Sequence, residues 1–410
     1  MQPVVSKWMP ELANPYPFYG LLREEAPVHY IEEFNGTYLL TRHAEVTAAL
    51  KNTGVFSSKL MPLGALLPQA ISERVNSLIQ VENNIAAADP PQHTRLRALV
   101  NQAFSPRRVA GLESRIRQLT GELLDPVLSQ PEFDLLEALA VPLPVIVIAE
   151  MLGVEPERRQ DFKRWSDHVV QLIAPPLGEI DAEGLITSLT EFNVYLEDAI
   201  ARRRREPRED LISTLIEAGE GLLSPQDVIS FVRVLLIAGN ETTANLIGNS
   251  MVTLLEHPSE LERLRADLTL LPQAIEEMLR YDGPIQALFR RTSEDTRVSG
   301  QHIPQGSRVL CLIASASRDP RRFPEPDRFD ITRDSQGHVS FGHGAHFCIG
   351  AMLARLEMKV VFEELFRRAG PLSLAPDQRG RIPWRESFML RGPRSLRLRA
   401  ERRPPRLSSQ

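Results

Sequence analysis

The most informative segment of the chain reads Ser340-Phe341-Gly342-His343-Gly344-Ala345-His346-Phe347-Cys348-Ile349-Gly350. A helical pattern follows it and places Cys348 at a predicted helix N-terminus. Unpaired backbone N–H groups and the positive end of the helix dipole meet at such a position, and both favour a thiolate over a thiol. Gly342 and Gly344 permit positive φ angles and a close approach of the backbone to a flat group. Gly350 leaves room directly after the sulfur.

The cysteine content narrows the chemistry of this segment. The chain has two cysteines, Cys311 and Cys348, too few for a disulfide framework or for a multi-cysteine zinc or iron–sulfur site. A thiolate held by backbone amides suits a soft or redox-active metal, and one cysteine alone suits haem iron better than zinc. The segment therefore predicts Cys348 as a metal ligand. The alternative is a buried cysteine in a glycine-rich turn.

A second informative segment spans Leu235 to Thr243 and includes Ala238-Gly239-Asn240-Glu241-Thr242. It lies inside a long apolar helix that begins with a Ser N-cap, a Pro and an early acid. A glycine and a charged residue conflict with the propensity of such a helix, and such conflicts tend to mark function. Gly239 would let a flat cofactor approach and leaves a point where the helix can widen into a π-bulge. An acid beside a hydroxyl can relay protons, although a solvated Glu241 with a back-bonded Thr242 is the alternative.

The rest of the chain reads mostly as helix. Breakers are spread throughout, with 32 prolines and 23 glycines, and no repeat or Gly/Ser-rich linker divides the chain. The pattern predicts helices over His43–Leu50, Gln92–Phe104, Leu112–Leu128, Leu135–Leu152, Gly184–Arg205, Ser224–Glu256, Ser259–Leu270, Pro272–Tyr281 and Cys348–Arg368. It predicts strands over Ile285–Arg291, Thr296–Val298 and Ser307–Leu312. The expected fold class is one mainly helical domain with small sheets.

The pattern Phe-Gly-x-Gly-x-His-x-Cys-x-Gly at 341–350 closely resembles the haem-binding loop of cytochromes P-450. The segment Ala238–Thr243 resembles the same family's oxygen-activating motif. The resemblance implies a single triangular-prism domain over residues 1–399, with a long central helix over the haem and a flexible tail at 400–410. It implies haem b with Cys348 as the iron ligand, which is the known ligation of this class. Residues expected to contact the haem include Ala238, Gly239, Phe341, Gly342 and Gly350.

The resemblance also assigns roles to charged residues. Glu241 and Thr242 become the catalytic acid–alcohol pair that supplies protons. Glu277 and Arg280 share a helix face at i, i+3, and their place about 70 residues before Cys348 resembles the family's buried Glu–Arg–Arg cluster. Arg328 would be its third, structural member. A bare Glu-x-x-Arg is more often a surface pair.

Four basic residues are candidate partners of the haem propionates. His93 and Arg97 lie at i, i+4 in Asp89-Pro-Pro-Gln-His93-Thr-Arg-Leu-Arg97, share a helix face and suit a pair of carboxylates; an ordinary salt-bridge face is the alternative. Arg290 and His346 follow by resemblance. A strand register shifted by one residue would exchange Arg290 with Arg291.

The substrate pocket follows from helix geometry and resemblance. On the central helix Val234, Ala238 and Thr242 recur every four residues and share one stripe, with Ile237 between them. By resemblance the remaining wall residues are Ile85, Ile285, Leu288, Phe388 and Met389. This apolar wall suggests a lipophilic substrate such as a fatty acid, terpenoid or steroid. Similar walls accept macrolides, so a macrolide- or polyketide-tailoring hydroxylase stays open, and ordinary core packing is the alternative for each residue.

The composition of the chain limits the classes of partner that we expect it to bind. The net charge of −5 disfavours nucleic acid. No secretory signal and no run of about 18 uncharged apolar residues occurs, so we expect a cytoplasmic protein without a membrane anchor, and a monomer by default. No nucleotide-binding glycine loop or flavin domain is recognisable. Electrons would therefore come from a separate ferredoxin or flavodoxin that docks nearest Cys348, with Arg107, Arg108 and Arg355 as candidate contacts.

The resemblance implies a monooxygenase that inserts one oxygen atom of O2 into a C–H bond. Three other functions remain open from the sequence. The first is a peroxygenase driven by H2O2, which would not need the Glu241–Thr242 pair. The second is a non-enzymatic haem-thiolate sensor, although no signalling or DNA-binding region is recognisable. The third is a helical binding protein without haem.

Overall fold

The computed structural model describes residues 11–32, 36–59, 67, 69–79, 84–172, 180–219 and 223–400, apart from the side chains of Gln102, Ala103, Pro156 and Ile237. Three sequence-based expectations lie outside this description: the first ten residues of the domain, the tail over 401–410 and the side chain of Ile237.

Helices make up most of the described chain. Their bounds are α1 (Tyr16–Glu25), α2 (His43–Lys51), α3 (Gln69–Leu78), α4 (Gln92–Ala103), α5 (Pro106–Gly111), α6 (Glu113–Leu128), α7 (Pro142–Met151), α8 (Arg159–Val169), α9 (Ala182–Arg205), α10 (Leu211–Ala218), α11 (Pro225–Glu256), α12 (Pro258–Ala266), α13 (Leu271–Asp282), α14 (Ile313–Ala316) and α15 (Ala351–Arg368). Within the described residues, none of these helices combines the length and apolar character that crossing a bilayer requires.

In the described part of the chain, ten short strands form small sheets. Their bounds are β1 (Val28–Ile31), β2 (Thr37–Leu40), β3 (Phe56–Ser57), β4 (Glu132–Asp134), β5 (Leu288–Thr292), β6 (Thr296–Val298), β7 (Gln301–Ile303), β8 (Arg308–Cys311), β9 (Leu372–Leu374) and β10 (Arg397–Ala400). The largest sheet has the order β1-β2-β8-β5-β3, and the described residues also form the sheets β4-β10-β9 and β6-β7. In the largest sheet β2 and β8 are parallel, while the other pairs are antiparallel.

The central helix α11 begins as its sequence predicts. The Ser224 hydroxyl oxygen accepts from the Asp227 N–H at 3.1 Å, and the Asp227 carboxylate accepts from the Ser224 N–H at 2.8 Å, which completes a capping box. The helix packs against α7, α9, α13 and α15. These contacts bury most of α11 and place the Ala238–Thr243 segment in the middle of the molecule.

The packing of α11 explains why a glycine occupies position 239, which the sequence did not reveal. A Cβ atom there would lie 2.3 Å from Ile148 Cδ1 in α7, so the glycine lets two helices approach closely. The π-bulge considered at this point is not formed, because α11 is α-helical over its whole length. The π-helical turn of the described chain is Leu136–Ala140, just before α7.

Most helix predictions agree with the structure to within a few residues. The expected Leu135–Leu152 helix is divided, because a π-helical turn ends at Ala140 and α7 begins at Pro142. The strands β1, β2, β3, β4, β7, β9 and β10 were not predicted. The expected tail over 400–410 starts too early, because Ala400 pairs with Leu372 in the β10–β9 ladder.

Candidate active site

A cavity of about 1100 Å³ lies at the centre of the molecule. Its walls come from α4, α11, β5, the cysteine loop (residues 340–350) and the C-terminal hairpin (residues 384–393). The sequence-predicted residues on these walls are Ile85, His93, Arg97, Val234, Ala238, Gly239, Thr242, Ile285, Leu288, Arg290, Phe341, Gly342, His346, Cys348, Gly350 and Met389. One cavity therefore collects residues that are as far as 304 positions apart in sequence, from Ile85 to Met389.

Cys348 faces this cavity from the cysteine loop. Its N–H donates to the Phe341 carbonyl at 2.8 Å, which closes the loop, and Gly342 and Gly344 both take φ of +72° within it. The helix expected to begin near Cys348 begins at Ala351, with Gly350 as its N-cap. Burial raises the pKa of the Cys348 thiol, whereas the N–H groups of Gly350 and Ala351 and the charge of Arg97 lower it.

Four basic side chains, His93, Arg97, Arg290 and His346, form a cation cluster on the cavity wall. The rings of His93 and His346 lie with centroids 4.0 Å apart. The Nε2 atoms of both histidines and the Nε atom of Arg290 are buried without a hydrogen-bond partner. Buried polar atoms are normally paired, so these orphaned nitrogens indicate that the cluster is built to hold an anion.

The electrostatics of the cation cluster support this conclusion. Burial first, and then the charges of His93 and Arg290, lower the pKa of His346 to about 3. Burial and the neighbouring Arg97 also lower the pKa of His93, and burial lowers the pKa of Arg290. Both histidines are therefore uncharged at neutral pH, and the positive charge of the site comes from Arg97 and Arg290, whose burial is costly unless an anion binds there.

The register of β5 decides between the two neighbouring arginines. Arg290 is buried opposite Val309, while Arg291 is exposed opposite Arg308. Arg290 Nη1 donates to the Phe289 carbonyl at 2.7 Å, whereas Arg291 Nε donates to the Gly306 carbonyl at 3.2 Å. Arg290 is therefore the buried member of the cation cluster.

Thr242 lines the cavity, and its hydroxyl donates to the Ala238 carbonyl at 2.6 Å. Glu241, in contrast, does not line the cavity. Its carboxylate oxygen Oε1 lies 2.6 Å from Arg385 Nη1, an arginine of the C-terminal hairpin. The two side chains point in different directions because successive residues of a helix are about 100° apart, so the expected acid–alcohol pair is not assembled here.

The apolar wall differs from its prediction at one residue. Phe388 does not line the cavity but packs against the core around Tyr16, Tyr19 and Leu310. Its neighbour Met389 packs against the same core and also lines the cavity. Wall residues that the sequence analysis missed are Leu172, Phe231, Leu235, Leu246, Phe289 and Leu390.

The model of the family described as Cytochrome P450 matches residues 71–369. The chain belongs to the cytochrome P450 family. It is a cytochrome P450 monooxygenase, and its fold is the fold of that family.

Known members of the cytochrome P450 family cover almost the whole chain. Cytochrome P450 107B1 from Saccharopolyspora erythraea is 42% identical over 93% of this chain and 94% of the relative. The 6-deoxyerythronolide B hydroxylase of the same bacterium is 40% identical over 92% and 94%. The structure of cytochrome P450 CYP109Q5 from Chondromyces apiculatus matches with a TM-score of 0.86 at 43% identity and covers 96% of both chains.

The family implies a haem-thiolate cofactor, and the residues of this cytochrome P450 fit one. A haem carries two propionates, and the orphaned nitrogens of His93, Arg290 and His346 are suitable partners for carboxylates. Cys348 faces the same cavity. Gly342 and Gly350 place no Cβ on this wall, which leaves room for a flat group beside the sulfur.

The carboxylate of Glu277 organises a buried polar cluster beneath the cysteine loop. Glu277 and Arg280 are fully buried, with Arg280 Nε 2.7 Å from Glu277 Oε2. The Ser335 hydroxyl donates to Glu277 Oε2 at 2.5 Å, and Arg333 Nε donates to Oε1 at 3.3 Å. Arg280 also donates to the Pro326 carbonyl at 2.9 Å, which ties α13 to the segment before the loop.

The prediction that Arg328 is the third member of this cluster is wrong. Its side chain is 63% exposed and lies 3.6 Å from Glu325 and 3.7 Å from Asp330. Arg328 contributes to the cluster only through its backbone carbonyl, which accepts a hydrogen bond from Arg333 Nη2 at 3.1 Å. The arginine side chain that contacts Glu277 in place of Arg328 is Arg333. Arg333 follows a turn at Asp330, and the sequence gave no indication of this contact.

Glu357 is a further cavity residue that sequence reasoning missed. It lies in α15, lines the cavity and accepts a hydrogen bond from the Thr243 side chain. Burial raises its pKa to about 8, although the Thr243 hydrogen bond lowers it in part. An acid that holds its proton at neutral pH beside a cavity hydroxyl is a candidate proton source. In the sequence Glu357 is a charged residue of a predicted helix, two positions after Arg355, and nothing there indicates that it is buried.

Proposed function

We propose that this cytochrome P450 binds haem b through Cys348 and inserts one oxygen atom of O2 into a C–H bond of a lipophilic small molecule. The observation that carries the proposal is the arrangement of the central cavity. A thiol lies beneath it, a cation cluster with orphaned nitrogens lies at its edge, and an apolar wall contributed by Ile85, Val234, Leu288 and Met389 encloses the remaining space.

The overall reaction consumes the substrate, O2, two electrons and two protons, and it releases the alcohol and one water molecule. When bound, the haem-thiolate group supplies the oxidising chemistry, and its thiolate favours O–O cleavage. The chain supplies the remaining functions. His93, Arg97, Arg290 and His346 hold the propionates, and the apolar wall orients the substrate and excludes water.

Two routes could bring protons to the cavity. In the first, Thr242 holds a proton at Oγ1 inside the cavity, and Glu241 serves it after separating from Arg385. In the second, Glu357 holds a proton next to the Thr243 hydroxyl. We propose that Thr242 acts at the cavity and that Glu357 supports it, because Glu357 lines the cavity while Glu241 is held by an ion pair outside it.

The apolar wall supports a lipophilic substrate such as a fatty acid, terpenoid or steroid. A macrolide or other polyketide is the second candidate. It is favoured by the relative named 6-deoxyerythronolide B hydroxylase, which is 40% identical to this chain. Titrating both compound classes against the haem spectrum of the holoenzyme separates the two candidates, since only the class that binds in the cavity should change that spectrum.

The proposed electron donor is a ferredoxin or flavodoxin that docks nearest Cys348. Phe347 and Met352, which flank Cys348, are exposed apolar residues, and Arg107 and Arg108 are exposed in α5, which packs on α15. An apolar centre with a basic rim suits an acidic carrier protein. Arg355 is less suitable than its sequence suggested, because it is bound to Glu276 by two hydrogen bonds.

The deciding experiment is the CO difference spectrum of the reduced protein. Wild-type protein should show the strongly red-shifted Soret band of a thiolate-ligated haem. Cys348→Ser should lose this band, while the matched control Cys311→Ser, at a buried cysteine of β8, should keep it. A wild-type band typical of histidine-ligated haem would overturn the proposal, as would a protein that folds but binds no haem.

A second measurement separates the monooxygenase from the H2O2-driven peroxygenase. Product should form with O2, a reductase and a ferredoxin, and it should depend on Thr242. Turnover with H2O2 but none with the electron donors would favour the peroxygenase. A protein with the thiolate band and no spectral response to any lipophile would favour the sensor.

A further inference from the structure

Phe341 and Cys348 are coupled within the cysteine loop, and a charged pair lies against this loop from outside the cavity. The Arg355 guanidinium carbon lies 4.5 Å from the centroid of the Phe341 ring, within the range of a cation–π contact. Phe341 in turn accepts the N–H of Cys348 at 2.8 Å through its carbonyl. Arg355 therefore stacks on the residue that closes the loop around the sulfur.

Glu276 fixes the Arg355 side chain in this position. Arg355 Nε donates to Glu276 Oε1 at 2.6 Å and Nη2 donates to Oε2 at 2.7 Å. Such two-point pairing holds the plane of the guanidinium more strictly than a single ion-pair contact does. Burial alone would raise the pKa of Glu276, but the hydrogen bonds from Arg355 and His338 outweigh it and lower the pKa to about 2.

His338 completes the arrangement and connects it to the loop. Its side chain is 4% exposed, and its Nε2 lies 3.2 Å from Glu276 Oε2. Its Nδ1 accepts the N–H of Ser340 at 3.2 Å, so the Nε2 atom must carry the hydrogen that it shares with Glu276. The His338 ring also lies 6.1 Å from the Phe341 ring. Glu276 thus binds Arg355 and His338, the two side chains that lie beside the Phe341 ring.

We propose that the opposed charges of Glu276 and Arg355 tune the reduction potential of the haem that Cys348 would ligate, and that the stacking of Arg355 on Phe341 positions these charges beside the cysteine loop. This inference rests on the proposed function, since it requires the thiolate-ligated haem. A positive charge near the haem favours the reduced state, because reduction adds an electron, and a negative charge opposes it. The pair cancels most of this effect in the wild type.

Because the two charges cancel, removing one or the other should shift the midpoint potential in opposite directions. Arg355→Gln leaves the Glu276 carboxylate uncompensated and should make the Fe(III)/Fe(II) midpoint potential more negative. Glu276→Gln leaves the Arg355 charge uncompensated and should make it more positive. Each change should alter the equilibrium constant for reduction by about tenfold, or about 59 mV for one electron. The double variant should return close to the wild-type value, and Arg355→Lys should lie between Arg355→Gln and wild type.

The measurement is spectroelectrochemical titration of holoenzyme that shows the thiolate Soret band with CO. Lys359→Gln is the matched control, because Lys359 lies one turn further along α15 and forms a similar ion pair with Glu113 at 3.1 Å. It should leave the potential within about twofold of wild type in equilibrium constant. Shifts of the same sign in both single variants, or no shift beyond that of Lys359→Gln, would overturn the inference.

These outcomes are distinct from a failure of the proposed function. If the thiolate band is present but the two single variants have the same midpoint potential, the proposed haem-thiolate enzyme is supported. The Glu276–Arg355 pair then does not affect the potential of the haem. If the band is absent from the wild type, the proposed function itself fails. A variant that loses haem is replaced by Arg355→Lys, which keeps the charge while it removes the two-point pairing.

Discussion

The carboxylate of Glu241 is held outside the cavity by Arg385, whose Nη1 lies 2.6 Å from Glu241 Oε1. Arg385 Nε also donates to Asn245 Oδ1 at 3.1 Å, so one guanidinium contacts two positions of α11 that are one turn apart. The C-terminal hairpin therefore controls where the acid of the central helix points. This contact was not predictable, because Arg385 lies 144 residues from Glu241 in sequence.

The first prediction concerns this contact. Arg385→Gln should raise the yield of product per electron consumed by about threefold or more, because it releases Glu241 from the ion pair that holds it outside the cavity and general acid catalysis contributes at least about 100-fold to a proton-transfer step. H2O2-driven turnover should change little, since peroxide brings its own protons. Arg394→Gln is the control, at an exposed arginine of the segment after the hairpin that pairs with Glu386 at 3.1 Å. A lower yield of product per electron, or an equal change in both reactions, would contradict a route of protons through Glu241.

The second prediction separates the two neighbouring arginines of β5. Arg290→Gln should accelerate transfer of haem to an acceptor such as apomyoglobin by about tenfold, which corresponds to about 1.4 kcal/mol for one charge-assisted hydrogen bond. Arg291→Gln should leave the transfer rate almost unchanged, because Arg291 is exposed. Similar rates for the two variants would show that Arg290 does not hold the propionates.

The third prediction tests which arginine belongs to the Glu277 cluster. Arg333→Gln should lower the free energy of unfolding of the holoenzyme by about 2 kcal/mol, the typical value of a hydrogen bond to a charged group. Arg328→Gln should change it by less than about 0.5 kcal/mol, as surface substitutions usually do. Denaturant unfolding followed by circular dichroism measures both values. A larger loss for Arg328→Gln would restore the assignment made from the sequence.

The fourth prediction follows from the pKa of about 8 for Glu357. In the folded state Glu357 keeps its proton up to that pH, while in the unfolded state it releases the proton near its ordinary pKa of 4.5. Unfolding therefore releases a proton between these values, and stability falls as pH rises through this window.

Glu357→Gln should remove this loss. Its stability relative to wild type should increase between pH 5 and pH 8 by at most about 4 kcal/mol, because each pH unit over which the folded state holds one more proton changes the stability by about 1.36 kcal/mol. Denaturant midpoints at both pH values measure the difference. Glu386→Gln, at a 58% exposed side chain, should show no such trend, and parallel curves for wild type and Glu357→Gln would contradict a proton held by Glu357.

Local sequence signals predicted those parts of the molecule that local chemistry determines. The cysteine loop, the capping box of α11 and the cavity-facing stripe Val234, Ala238 and Thr242 all follow from short-range spacing, and the structure brings them to one cavity. Short strands such as β4 and β10 were missed because three or four residues carry too little period-two pattern. Their pairing is decided by partners that are distant in the chain.

The errors at Glu241, Arg328 and Phe388 share one cause. Each side chain was placed from a motif, while its direction depends on a neighbour outside that motif. Arg385 draws Glu241 to the hairpin, a turn exposes Arg328 and presents Arg333, and Phe388 packs against the core around Tyr19. Glu357 was missed because nothing in a helical sequence separates a buried carboxylate from a solvated one.

The C-terminal hairpin has a consequence for anyone who wishes to alter this enzyme. It is closed by the bridge between Trp384 and Pro393, and Gly392 lies so close to Asn245 that a Cβ atom would come within 2.2 Å of its Oδ1. The same hairpin carries Met389, which lines the cavity, and Arg385, which contacts Glu241 and Asn245 of α11. Transplanting this loop from another enzyme to change selectivity would therefore also change how efficiently reducing equivalents become product, unless Arg385 and Gly392 are kept as a matched pair with α11.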